Sequence, residues 1–191
     1  MQSRTPTRQR LISAAARRFQ RQGMAATGLN DVLADAGAPR GSLYHHFPGG
    51  KNELAAAAIR HSGAEIAAAI DGALSASPDV PSAIRAFAAF YEARLAASDF
   101  RDGCPIATTA LEAAALDAPA VEQACDDAIA AWESLLAARL AAAGHRPERA
   151  RGLATFIVAA LEGALLLAKV RRSAEPLRST AACLEEALSP R

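Results

Sequence analysis

Between Thr27 and Phe47 the chain reads TGLNDVLADAGAPRGSLYHHF, and no other stretch limits so sharply what it can fold into. Leu29, Val32, Leu33 and Ala36 recur at helical spacing, so one face of a short helix is buried. Thr27 stands where an N-cap belongs, its hydroxyl placed to accept from a free amide one turn ahead. Gly37 supplies the left-handed residue that ends this helix, and Pro39 suits the first turn of a second, where no amide partner is lost. In that second helix Leu43 and Phe47 lie four apart and point inward. Arg40, Ser42, Tyr44 and His45 are then mostly outward, with Gly41 and His46 beside them. Two short helices joined by such a turn make a helix-turn-helix, whose second helix is narrow enough to enter the major groove of DNA.

The outward residues have the right chemistry for that groove. Arginine donates two bonds to a guanine edge, histidine and serine read base edges or phosphates, and a tyrosine hydroxyl reaches a phosphate while its ring packs. The plainer alternative is a surface corner between two helices of any all-helical protein.

The flanks weigh against that alternative. Thr5, Pro6 and Thr7 resemble a helix start, followed by Leu11, Ile12, Ala15 and Phe19 on one face and a stop near Gly23. Beyond the pair, Pro48, Gly49 and Gly50 break the helix, and Lys51, Glu53 and Leu54 open a long alanine-rich one. From about Thr7 to Leu54 the chain resembles the DNA-binding domain of the TetR family of bacterial transcriptional repressors. The residues that carry the resemblance are Ala15, Phe19, Gly23, Thr27, Leu33, Ala36 and Gly37, then GSLYHHF from Gly41 to Phe47, and Lys51 with Leu54. It implies a helix-turn-helix domain over residues 1–50 and a ligand-binding and dimerisation domain over 51–191. It also implies DNA contacts from Thr27, Arg40, Gly41, Ser42, Tyr44, His45, His46 and Lys51. Pro48, Gly49 and Gly50 depart from the commonest family pattern and resemble a subgroup related to regulators of drug-resistance and flavonoid-responsive genes. Glycines there let the backbone approach a phosphate at a helix start, where the dipole and Lys51 also favour an anion.

Charge supports the same reading. Met1 to Arg60 holds nine Lys or Arg against three acids, leaving twelve and seventeen of the chain's 21 basic and 20 acidic residues for the rest. A basic N-terminal end and an acidic remainder suit phosphate attraction at one end only. That polar, arginine-rich start has no apolar core of a secretory signal, so a cytoplasmic protein is expected.

Alanine, leucine, arginine and glutamate dominate and no alternating strands are evident, so the expected class is all-α. Helices are expected over about 51–74, 81–97, 103–116, 119–143, 147–172 and 176–188, giving the nine that the resemblance implies. Leu153–Ala168, apolar nearly all round, is shorter than a bilayer span and contains Glu162, so a buried helix is expected there and not a membrane one. In the TetR family the last two long helices pair with those of a second subunit, so a homodimer is implied. Gly152, Ala159, Ala160, Gly163 and Ala164 are small enough for close helix approach.

The resemblance further implies a small-molecule effector held among the middle helices, whose binding changes the spacing of two recognition helices on an operator. Phe87, Tyr91, Trp132 and Phe156 are candidates for an apolar cavity, with Phe90 nearby and Thr108, Thr109 and Glu112 as polar anchors. Each is equally at home in a simple core. Cys104, Cys125 and Cys183 are too widely spaced for a disulfide framework or a metal pattern. Cys104 stands at an expected helix start, where the dipole lowers a thiol pKa, and is a second candidate for effector sensing. No histidine spacing suggests zinc, no cofactor is implied, and no catalytic acid, base and nucleophile assemble. A DNA-binding regulator without a small-molecule ligand, controlled by cysteine redox state or a protein partner, stays open as the alternative.

Overall fold

The computed structural model describes residues 5–188, and Arg4 of the basic N-terminal group lies outside them. Among the described residues the regular elements are α1 (Thr7–Gln22), α2 (Leu29–Ala36), α3 (Arg40–His46), α4 (Gly50–Ala76), α5 (Val80–Ala97), α6 (Pro105–Ala113), α7 (Pro119–Ala142), α8 (Pro147–Arg171) and α9 (Glu175–Leu188). A single 3-10 turn, Ala114–Leu116, follows α6.

The helix ends follow local chemistry. Gly37 adopts the left-handed region at φ 56° and ψ 42°, and the Ala38 amide donates to the Leu33 carbonyl at 3.0 Å, closing α2. Asp79 caps α5 by accepting from the Ser82 amide at 2.8 Å. Two expectations are corrected. Gly28 is the N-cap of α2, while Thr27 is buried one residue earlier and its hydroxyl donates to the Gly23 carbonyl at 2.6 Å. Pro39 is the extended N-cap of α3, at φ −63° and ψ 149°, the non-helical geometry that an N-cap ordinarily takes, and Arg40 is the first helical residue.

The chain divides into two compact units. The first takes in the chain up to Ala64 together with Cys104–Ala128. Its core joins Leu11, Ala15 and Phe19 of α1, Val32 and Leu33 of α2, Leu43 and Phe47 around α3, and Ile106 of α6. Phe19 and Phe47 are fully buried, which stabilises the fold by about 2–3 kcal/mol each. Arg18 of α1 clamps α2 by a two-pronged pair with Asp35, at 2.7 and 3.0 Å, and lies 3.5 Å from Asp31. A Cβ on Gly63 would come within 2.7 Å of the Ala128 Cβ, so α4 and α7 cross closely there because the residue is glycine.

The second unit takes in Glu65–Gly103 and the chain from Ile129 onward. In it α9 packs on α5 and α8, with Ile84, Ala88 and Leu95 of α5 and Leu177, Ala181 and Leu184 of α9 buried. Ion pairs of Arg85 with Glu185 and of Arg172 with Asp99, each 2.6 Å, lie at its surface. By length and composition alone α8 could span a bilayer. One side of it, with Leu153, Ile157, Leu161, Ala164 and Leu165, is buried within the unit, while Phe156, Leu166, Leu167 and Val170 on the other are exposed.

Candidate functional site

In the first unit α3 presents a polar face. Leu43 and Phe47 anchor it, 1% and 0% exposed, so the intervening positions turn outward. Arg40, Gly41 and His45 are exposed, Tyr44 is 63% exposed, and Ser42 and His46 are half-buried. No neighbour lies within 4 Å of where a Cβ on Gly41 would be, so this position leaves open space beside Arg40. The Ser42 hydroxyl donates to the Pro39 carbonyl at 2.6 Å, which spends its proton and leaves its oxygen to accept. The His45 and His46 rings meet edge to face at 4.9 Å.

At the head of α4, Gly50 holds φ at 66°, a conformation that turns the chain out of α3 and suits glycine. Its amide donates to the Phe47 carbonyl at 2.9 Å, and the Gly49 amide donates to the Glu53 carboxylate at 2.8 Å. The backbone amides of both glycines, in the segment expected to approach a phosphate, are therefore engaged inside the protein. Lys51 is half-buried, and its ammonium donates to the Ala25 carbonyl at 3.3 Å.

The acids of this end are already committed. Asp31 and Asp35 face Arg18 and Glu53 accepts from Gly49, so none of the three pairs with Arg40 or Lys51. The hydrogen bond from Arg18 holds the Asp35 carboxyl below its ordinary range, with the Arg18 charge adding to it.

The second unit contains an apolar cavity of about 40 Å³. Ile66, Ile70 and Leu74 of α4, Ile84, Phe87 and Tyr91 of α5, Trp132 and Leu136 of α7, and Ile157, Val158 and Leu161 of α8 line it, with Glu162 the one carboxylate. Phe87 and Tyr91 pack ring against ring at 5.0 Å, and Trp132 is 2% exposed. Three of the expected cavity residues thus come together. Phe156 does not join them: it is 53% exposed and borders a separate groove with Ala160, Ser179, Thr180, Cys183 and Leu184. Cys104 and Thr109 belong to the first unit, whereas the cavity lining comes wholly from the second. The Thr109 hydroxyl is buried without a hydrogen-bond partner among the described residues, and Cys104 is buried at the N-cap of α6. Burial, with the charge of Glu122 adding to it, pushes the Cys125 thiol up to about 11, far from a reactive thiolate. Among the described residues no three His, Cys, Asp or Glu side chains converge to hold a metal.

Periodicity did not find Ile66, Ile70, Leu74 or Leu161 as cavity residues, since their spacing is that of any helix core. Glu112 was expected as a polar anchor for a ligand, yet its carboxylate accepts from the Met24 and Ala25 amides at 2.6 and 3.0 Å.

Residues 11–58 match the family model described as bacterial regulatory proteins of the tetR family, and residues 81–183 match that of the C-terminal domain of LmrA/YxaF-like transcriptional regulators. The HTH-type transcriptional regulator LmrA of Bacillus subtilis is 33% identical over 182 residues, 95% of this chain and 96% of the relative. An uncharacterized HTH-type regulator of Mycobacterium tuberculosis is 39% identical over 89% of this chain and 88% of its own length. A crystal structure of the regulatory protein TetR from Rhodobacter sphaeroides superposes with a TM-score of 0.83 at 26% identity, over 95% of this chain and 98% of that one. The helix-turn-helix of the first unit and an all-helical second unit agree with these likenesses: the chain belongs to the TetR family of transcriptional regulators, which are DNA-binding proteins and not enzymes.

Proposed function

We propose that this chain is a cytoplasmic repressor that binds a palindromic operator as a homodimer and leaves it when a small apolar ligand occupies the cavity of the second unit. The observation that carries the DNA half is the outward face of α3, where Arg40, Tyr44 and His45 are exposed while Leu43 and Phe47 fix the helix. Arg40 and His45 read base edges, and Tyr44 and Lys51 hold phosphates. Thr27, buried and bonded to Gly23, serves the turn and not the DNA.

The exposed apolar side of α8 supports the dimer. Leu166 and Val170 are 63% and 73% exposed, and Gly163 one turn earlier leaves space for a close helix. A second copy covers such a face by two-fold symmetry, which also matches a palindromic site.

Cavity size sets a condition on the switch. A ligand pocket ordinarily measures about 300–1,000 Å³, so with about 40 Å³ here a ligand must spread the lining before it fits. Such a ligand binds the opened form better than the closed one, the condition for shifting a population. Helix α4 is continuous from Gly50 to Ala76 and carries Lys51 near one end and Ile66, Ile70 and Leu74 toward the other, so it is the element on which ligand and DNA act together. The same tightness favours the second reading, a regulator with no small-molecule ligand.

One experiment separates the two. Duplexes selected by the purified protein are bound, and a library of planar aromatic compounds, flavonoids included, is screened for release while Trp132 fluorescence is followed. Release together with a change in Trp132 emission supports the sensor. Release without any such change moves the sensor elsewhere, and no release by any compound supports the second reading.

A further inference from the structure

The turn between α1 and α2, Gly23–Thr27, reads GMAAT and has almost no polar side chain of its own. Residues outside it fix it. Glu112 of α6 lies 88 positions away in the chain, and its Oε2 accepts from the Met24 amide at 2.6 Å and from the Ala25 amide at 3.0 Å. The Lys51 ammonium donates to the Ala25 carbonyl at 3.3 Å, and the Gln22 amide group donates to the Ala26 carbonyl at 2.9 Å. Gly23, at φ 80°, faces the carboxylate so closely that a side chain there would collide with it. The turn is shaped around the Glu112 carboxylate.

We propose that Glu112 is a positioning residue for DNA binding: its carboxylate fixes the α1–α2 turn, and the turn holds the Lys51 ammonium at the head of α4. The inference rests on DNA binding through α3 and α4. Ala25 lends its amide to Glu112 and its carbonyl to Lys51, so one residue joins the anion to the cation. An ammonium has three donors, and the Ala25 carbonyl takes one of them, which leaves two for phosphate oxygens. Removing the carboxylate leaves two amides without their acceptor, and Lys51 then has to be ordered at the moment DNA binds, which weakens the contact. Glu112 touches no base in this scheme, so sequence preference is unaffected.

The test uses the full chain and a duplex selected by the wild type, with affinity followed over a range of salt concentrations. For Glu112→Ala the expected result is a loss of roughly three- to tenfold on all sequences alike, with the salt slope reduced by about two, one phosphate contact per subunit of the dimer, as for Lys51→Ala. The double variant should be little weaker than either single one, because both remove the same contact. Amide exchange at Met24 and Ala25 should accelerate in Glu112→Ala. Glu112→Gln keeps an oxygen at the same reach and should recover most of the affinity. Glu112→Asp keeps the charge but draws the acceptor back by about 1.5 Å and should not recover it. If Glu112→Ala does not fold, the Gln and Asp pair decides. Unchanged affinity in Glu112→Ala, independent effects of Glu112 and Lys51, or Asp binding as well as Gln overturns the role. A wild type that selects no DNA overturns the DNA-binding reading itself, a result distinct from wild-type binding with unaffected variants.

Discussion

Five residues of the α1–α2 turn are fixed by directional bonds: Glu112 takes two amides, Lys51 and Gln22 each hold a carbonyl, and Thr27 closes on Gly23. The cavity of the second unit is lined almost wholly by aliphatic and aromatic side chains, with Glu162 the one carboxylate. Directional bonds define one geometry and fail when an atom moves, whereas apolar packing tolerates rearrangement if volume is kept. A surface that must meet base edges needs the first kind of holding. A region that must widen for a ligand needs the second.

The sharpest way to break this comparison is to charge the apolar face of α8. Leu166→Glu with Val170→Glu places uncompensated charges in the proposed interface, where each costs about 3–5 kcal/mol and the two-fold doubles their number. Sedimentation should show monomers with operator binding lost, while the helical circular dichroism is kept because both side chains are exposed in the single chain. Ala164 is 1% exposed on the inward side of α8, so Ala164→Glu would instead unfold the unit.

Next is Tyr91→Ala, which enlarges the cavity and is expected to cost about 3 kcal/mol, lowering the melting temperature by roughly 6–12 °C. Operator affinity should stay within about twofold if the second unit tolerates rearrangement as described. A larger loss would show that the two regions are not held differently.

Arg40→Ala should cost about 1–3 kcal/mol per half-site and relax preference at one base position in each, whereas Lys51→Ala should weaken all sequences alike. The smallest effect concerns Asp35. Its carboxyl is held below the ordinary range by the hydrogen bond from Arg18, so the pair contributes stability above the unfolded carboxylate range. That contribution is lost as pH falls through the depressed folded value. Both partners are partly exposed, which limits it to under about 1 kcal/mol, and denaturant midpoints of Asp35→Asn and wild type should converge in acid.

What the sequence made legible follows the same division. The Gly37 turn, the inward Leu43 and Phe47, and the outward face of α3 were readable because each depends on neighbours within a few residues. The Thr27 cap was misplaced because Gly28, with no side chain, satisfies the extended geometry of a cap just as well. Glu112 was unreadable in its place, since its partners lie 88 and 87 positions away and leave no local pattern. On α8, apolar nearly all round, spacing alone cannot choose an inward face, so Phe156 was grouped with Phe87 and Trp132 although it is exposed. The cavity's narrowness was likewise invisible, being a property of packing and not of residue type.

The most direct test of the central claim is selection of duplexes by the purified chain, followed by affinity measurements with wild type and Arg40→Ala over a range of salt concentrations. The account predicts a palindromic site bound by a dimer, a steep salt slope, and a preference that Arg40→Ala relaxes in both half-sites while leaving the slope nearly unchanged. Selection of no sequence, or an Arg40→Ala variant with the wild-type preference, would contradict it.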